Sequence, residues 1–163
     1  MSPMGLARRL LLLVFIPLAG CGPTVDLAKG LQLDVVNTGW FDLGIVNGQT
    51  KLVPTIIFTL RNRSDQQLAA LQINALFRRV NEAEEWGSGF VTAVGSEGLA
   101  PGTTTPPITI RSNLGYTGSE QSRPEMLQNS KFVDAKIDVF AKYASTQWVK
   151  VGSYPIARQL LTK

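Results

Sequence analysis

The sequence predicts an all-β protein, an immunoglobulin-like antiparallel β-sandwich of seven to eight strands. Short segments of alternating apolar and polar residues recur through residues 31–163, and turn-forming residues separate them. Glycine and proline number 15 and 9 and only 17% of the residues are charged, which is typical of a turn-rich globular domain. Seven or eight short strands at regular spacing favour a sandwich, and a closed barrel is the alternative.

The first strands are the clearest. The run "LQLDVV" alternates Leu31, Leu33 and Val35 with Gln32 and Asp34 and predicts a half-buried strand. Asn47-Gly48 lies between apolar residues, which is the strongest short signal for a β-hairpin. In "VPTIIFTLRN" the pattern places Ile56, Phe58 and Leu60 on one face and Thr55, Ile57, Thr59 and Arg61 on the other.

The segment "LAALQINALFRRV" is ambiguous, since its alanines and leucines also permit a helix. We predict a strand because the flanking "RNRSDQQ" and "NEAEEWGSG" are typical of hairpin loops. Four further strands are predicted at "GFVTAV", "PPITIRS", "FVDAKIDVFAKY" and "QWVKVGSYPIAR".

Residues 112–131 show no alternation, and "RPEMLQNS" predicts one helical turn starting at Pro124. Loops of this length are uncommon in compact domains and are often functional. We therefore predict a contact surface with Tyr116 and Met126 as its anchors. The alternative is that both side chains fold inward and cap the sandwich.

The N-terminus predicts an export signal over residues 1–20. Arg8 and Arg9 precede ten apolar residues, and small residues follow them up to Gly20. Ten residues of helix span roughly 15 Å, half of a bilayer core of about 30 Å, so a stable transmembrane helix is not expected.

Leu18-Ala19-Gly20-Cys21 resembles the lipobox of bacterial lipoproteins at all four positions, and Cys21 is the one cysteine. The resemblance implies cleavage between Gly20 and Cys21 and a diacylglycerol on the Cys21 sulfur. The alternative is an ordinary signal peptide with a bystander cysteine. In a Gram-negative host, the absence of aspartate at position 22 implies the outer membrane, facing the periplasm. Residues 21–30 then form the lipidated cysteine and a short tether, and residues 31–163 the sandwich.

A second resemblance covers a single strand. "FTLRN", residues 58–62, is similar to the F-x-L-x-N strand of exported immunoglobulin-like domains of the late-embryogenesis-abundant and FxLYD groups. The tyrosine and aspartate of FxLYD are missing after Leu60, so the similarity supports the fold only.

The residue types argue against catalysis. The chain has no histidine, the commonest general base and metal ligand. "VGSEG" has Val94 where a nucleophile elbow requires glycine. Glu82, Glu84 and Glu85 lie together on one loop rather than across a cleft. No basic run exceeds a pair, so nucleic acid is not an expected partner.

We therefore expect a non-enzyme without cofactor or metal, anchored to the membrane through Cys21. The expected function is that of a structural or protein-interaction module that binds another envelope protein. The alternative is a binding module for a small apolar or glycan ligand.

Overall fold

The computed structural model describes residues 23–161, so the predicted signal peptide, Gly20 and Cys21 lie outside the described residues. Within that range the elements follow in the order α1 (Leu27–Gly30), β1 (Leu31–Val46), β2 (Gln49–Asn62), β3 (Leu71–Arg79), β4 (Gly87–Val94), β5 (Ile108–Arg111), β6 (Tyr116–Gly118), α2 (Arg123–Gln128), β7 (Ala135–Lys142), β8 (Val149–Pro155) and β9 (Leu160–Leu161). Neither helix of this part of the chain has the length and apolar character needed to cross a bilayer.

Two sheets pack face to face. One has the strand order β5-β2-β1-β9, with β6 also paired to β2, and the other has the order β4-β3-β7-β8. The order corresponds to strands A, B and E of an immunoglobulin-like sandwich opposite strands C′, C, F and G. The predicted fold class is confirmed. Of the two strands beyond the predicted pattern, β6 has three residues and β9 two, and β9 pairs in parallel with β1.

The core lies between the sheets and contains most of the side chains that the alternation predicts, although Val35 of "LQLDVV" is 39% exposed. Ile56, Phe58 and Leu60 of β2 are fully buried, and Phe77 and Ile137 face them from the opposite sheet. The ambiguous segment "LAALQINALFRRV" forms strand β3, whose alternate residues are buried. Side chains at every second position of a strand share one face, so burial of these alternate residues requires a strand.

The predicted hairpin at Asn47-Gly48 joins β1 to β2. Both residues have positive φ, 52° and 78°, as a two-residue turn of this kind requires. Asn tolerates this conformation better than most residues, and glycine adopts it without steric cost.

The end of the sandwich at which the described chain begins is formed by α1 and the connections 62–67, 95–105 and 143–148, and we call it the N-terminal pole. Leu27 of α1 is buried in the core, and the Gly30 carbonyl accepts a hydrogen bond from the Arg63 N–H at 2.8 Å. The folded domain therefore begins before Leu31, and residues 23–30 pack on it instead of forming the predicted tether.

The opposite end, the distal pole, is formed by residues 46–49, 80–86 and 112–134. Helix α2 closes this pole. Ser122 accepts a hydrogen bond from the Glu125 N–H, and the Glu125 carboxylate accepts one from the Ser122 N–H. This reciprocal cap starts the helix at Arg123, with Pro124 in its first turn, and the hydrogen bonds from Ser122 lower the pKa of Glu125.

Candidate interaction surface

The predicted contact residue Tyr116 lies in an aromatic cluster at the distal pole. Its ring centre is 5.5 Å from that of Trp40, 5.1 Å from that of Trp86 and 4.6 Å from that of Phe132. The Tyr116 hydroxyl accepts a hydrogen bond from the Val133 N–H and can donate one to the Val133 carbonyl, both at 3.2 Å. The cluster fills the open end of the sandwich. Tyr116 is held there by the contacts of its ring and by the hydrogen bonds of its hydroxyl.

The structure buries Met126 and half-buries Tyr116, the two residues predicted to anchor a contact surface. Met126 is only 4% exposed and belongs to the hydrophobic core, and Tyr116 is half-buried and packs against that core. The physical reason is the capped helix α2, which turns its apolar residues Met126 and Leu127 inward. The alternative, in which both side chains cap the sandwich, describes their main role.

The two residues still line one shallow cavity of about 220 Å³ at the distal pole, together with Phe132 and polar side chains. Pockets for drug-sized ligands usually have volumes of about 300–1,000 Å³. The cavity is therefore too small to hold a ligand of that size.

A different surface exposes aromatic side chains. On the solvent side of the four-stranded sheet, residues that pair across β4, β3, β7 and β8 lie side by side in rows. One row contains Phe90, Asn74, Phe140 and Lys150. The sheet fixes these backbones in one plane, and we call this surface the outer face.

Phe90 and Trp148 are the prominent apolar side chains of the outer face, 59% and 40% exposed. Their ring centres are 6.3 Å apart with the planes inclined at 78°. Phe90 lies on β4 and Trp148 directly precedes β8, with β3 and β7 between these two strands. The Lys142 ammonium lies 5.1 Å from the centre of the Trp148 ring, so the patch combines aromatic area with positive charge.

A charge network stabilises the middle of the outer face. Lys150 Nζ lies 2.8 Å and Arg78 Nη1 3.7 Å from the Asp138 carboxylate, and the Ser153 hydroxyl donates a hydrogen bond to it. Burial raises the pKa of Asp138, but the hydrogen bonds from Lys150 and Ser153 and the charges of Lys150 and Arg78 outweigh burial and hold this pKa below its ordinary value.

The outer face is positively charged. Its cations Arg78, Lys136, Lys142 and Lys150 outnumber the one carboxylate of Asp138, which already pairs with two of them. Exposed aromatic rings on a rigid sheet provide contact area at low entropic cost, and the unbalanced lysines favour an acidic partner. Together they form a surface suited to binding another molecule.

The sequence indicated this surface only in part. Trp148 lies near the start of the predicted strand "QWVKVGSYPIAR" and Phe90 lies in "GFVTAV", but the contact residues predicted from the sequence are Tyr116 and Met126. The available signal was a phenylalanine on the otherwise polar side of "GFVTAV", where the alternation calls for a solvent-facing residue.

Comparisons with known proteins identify no family: no family model and no curated protein matches the chain. Among solved structures, the ligand-binding region of the serine-glutamate repeat protein A (SgrA) of Enterococcus faecium is similar. It shares 14% identity over 77% of this chain and 90% of that chain, with a TM-score of 0.34. We base no functional conclusion on a similarity of this extent.

Proposed function

We propose that this protein is a lipid-anchored module of the bacterial cell envelope that binds another envelope protein without catalysing a reaction. The lipid anchor is the diacylglyceryl group on Cys21, and in a Gram-negative host the protein faces the periplasm from the outer membrane. Two or more acyl chains are enough to hold such a domain on a bilayer, whereas one gives only marginal binding.

The observation that carries the proposal is the exposed aromatic pair Phe90 and Trp148 on a positively charged, rigid sheet face. Aromatic side chains are enriched at the centres of protein interfaces, and desolvating them contributes most of the binding energy. The surrounding lysines select an acidic partner surface and accelerate the encounter, so the affinity should fall as the salt concentration rises.

A glycan is the second candidate ligand, supported by the amide side chains of Gln72 and Asn74 between the aromatic residues. The two rings are inclined at 78° and do not form a coplanar platform on which successive sugar rings could stack. This inclination favours the protein partner.

The test is photo-crosslinking in cells with a photoreactive amino acid in place of Phe90, and in place of Ile45 as a control. Ile45 is 65% exposed on the distal hairpin, outside the outer face. We expect one discrete protein adduct from position 90 and none from position 45. The partner identified by the crosslink is then purified. We expect it to bind the wild-type protein and to bind the Lys136→Glu variant more weakly. The Lys29→Glu variant, which is altered on α1, should bind the partner normally.

Equal adducts from both positions, or normal binding by Lys136→Glu, would contradict the assignment of the outer face. If a glycosidase removes the adduct, the partner is a glycan and not a protein.

A further inference from the structure

We infer that the N-terminal pole rests directly on the lipid headgroups of the membrane that holds the anchor, so that the domain stands in a fixed orientation. This inference rests on the lipid anchor proposed above. It concerns a second interaction surface, which adjoins the outer face at Trp148 and whose partner is the bilayer surface.

The first step is that the chain is fixed to the domain from its first described residues. The Gln66 side-chain amide donates a hydrogen bond to the Pro23 carbonyl at 2.8 Å, and the Val25 N–H donates one to the Tyr143 hydroxyl at 2.6 Å. Leu27 is 1% exposed, so the next turn of chain is held in the core. Residues 23–27 therefore cannot serve as a flexible spacer without breaking contacts of the fold.

The second step is the reach of the remaining chain. Only Gly22 separates Cys21 from Pro23, and two residues span at most about 7 Å even when fully extended. The headgroup layer on one side of a bilayer is itself roughly 5–7 Å thick. A lipid on Cys21 therefore brings Pro23 and the pole around it into the headgroup layer.

The third step is the chemistry of the pole. Beside the N-terminal segment lies an open cleft of about 420 Å³, which is lined by the apolar residues Val25 and Val149 and by the hydroxyl-bearing residues Thr24 and Ser145. Hydroxyl groups can donate hydrogen bonds to the ester and phosphate oxygens of lipids. Within α1 and the three connections that form the pole, the charges cancel, because Asp65 and Glu97 oppose Lys29 and Arg63.

The lipid on Cys21 and the short chain from Cys21 to Pro23 hold the pole on the membrane. Because the charges of the pole cancel, net attraction to anionic lipid contributes little. The contact should therefore be the same on zwitterionic and anionic bilayers and should not weaken with salt. In this orientation Trp148 stands close to the headgroups, and the rest of the outer face points sideways along the membrane.

The test uses two exposed positions, Gln147 at the N-terminal pole and Glu84 at the distal pole. The lipidated protein carries Gln147→Cys or Glu84→Cys, labelled with the same fluorophore, and is reconstituted into phosphatidylcholine vesicles that contain a headgroup-nitroxide quencher. Because the Cys21 sulfur is occupied by the lipid, only the introduced thiol reacts. We expect several-fold stronger quenching at position 147 than at position 84, unchanged when phosphatidylglycerol or salt is added.

A matched control inserts ten Gly and Ser residues between Gly22 and Pro23, and this spacer should largely remove the difference between the two positions. Equal quenching at both positions in the unmodified chain would overturn the inference while leaving the lipid anchor intact. Failure of the protein to sediment with the vesicles would instead overturn the anchor and thus the proposed function.

Discussion

The guanidinium carbon of Arg111 lies 3.8 Å from the centre of the Phe41 ring, on the solvent side of the five-stranded sheet. Arg111 pairs with Thr55, and Phe41 pairs with Val53, so the stacked pair belongs to the same face as two buried residues of β2. Strand β2 is therefore buried on both faces near its middle. The sequence pattern placed Thr55 on the face opposite the core without indicating that it is buried.

This stack should contribute measurably to stability. We expect Arg111→Ala to lower the free energy of unfolding by about 0.5–1 kcal/mol, the usual size of an exposed cation–π interaction. Urea unfolding measures the change. Arg61→Ala, an exposed arginine of the same sheet for which the structure shows no ring contact, should change the free energy less, and an equal loss would contradict the role of the Phe41 contact.

Phe58→Ala should destabilise the domain by roughly 3–5 kcal/mol, and Ile137→Ala by roughly 2–5 kcal/mol, because both side chains are fully buried. Ile57→Ser should cost clearly less, since Ile57 is half-buried on the other face of β2. Chemical denaturation of the three variants gives the comparison. Similar losses for Ile57→Ser and Phe58→Ala would show either that both faces of β2 are buried at this point or that its register is different.

Tyr116→Ala and Met126→Ala should each lower the melting temperature strongly, because the side chains cap the core at the distal pole. Truncation of a buried methionine costs about 2–5 kcal/mol. Thermal melting followed by circular dichroism is the measurement. Unchanged melting together with loss of the envelope partner would restore the contact surface first predicted for these residues.

Asp138→Asn should destabilise the protein at neutral pH and much less in acid. The pKa of Asp138 is lower in the folded protein than its ordinary value of 3.8, so the carboxylate favours folding. That stability is fully present above 3.8 and is lost as the pH falls through the lower folded value. Unfolding of both proteins between pH 7 and about pH 2 tests this. A difference independent of pH would show that the carboxylate charge is not its source.

Cys21→Ser should abolish lipidation, because the chain has no other thiol to accept a diacylglyceryl group. The unprocessed precursor should accumulate, about 20 residues longer than the mature protein, as the signal peptide reading implies. Metabolic labelling with palmitate, read on a gel, makes the measurement. Persistent labelling of Cys21→Ser would show that the lipobox assignment is wrong.

The strands could be predicted because alternation is a local property of the sequence. Phe58 and Ile137 face inward because successive side chains of a strand point to opposite faces of the sheet. This pattern can be recognised from neighbouring residues alone. The hairpin at Asn47-Gly48 was equally accessible, because the two residue types themselves fit the backbone conformation of the turn.

The remaining features depend on contacts between residues distant in sequence. The burial of Leu27 requires elements far along the chain to close over residues 23–30, as the bond from Val25 to Tyr143 shows. Phe90 of β4 forms its patch with Trp148, which directly precedes β8 at the other edge of the sheet. The inward position of Met126 depends on the direction in which the capped helix α2 faces. The local sequence predicts the start of this helix but not which side of it is buried.

The long pairing of β1 with β2 has a mechanical consequence. The two strands pair from Leu31–Asn62 at the N-terminal pole to Val46–Gln49 at the hairpin. A tensile force applied to Pro23 along the axis of β1 loads these hydrogen bonds in shear, so that many must break together. A partner bound at the outer face is held by the other sheet, so a pull on the membrane would reach it across the packed core between the two sheets.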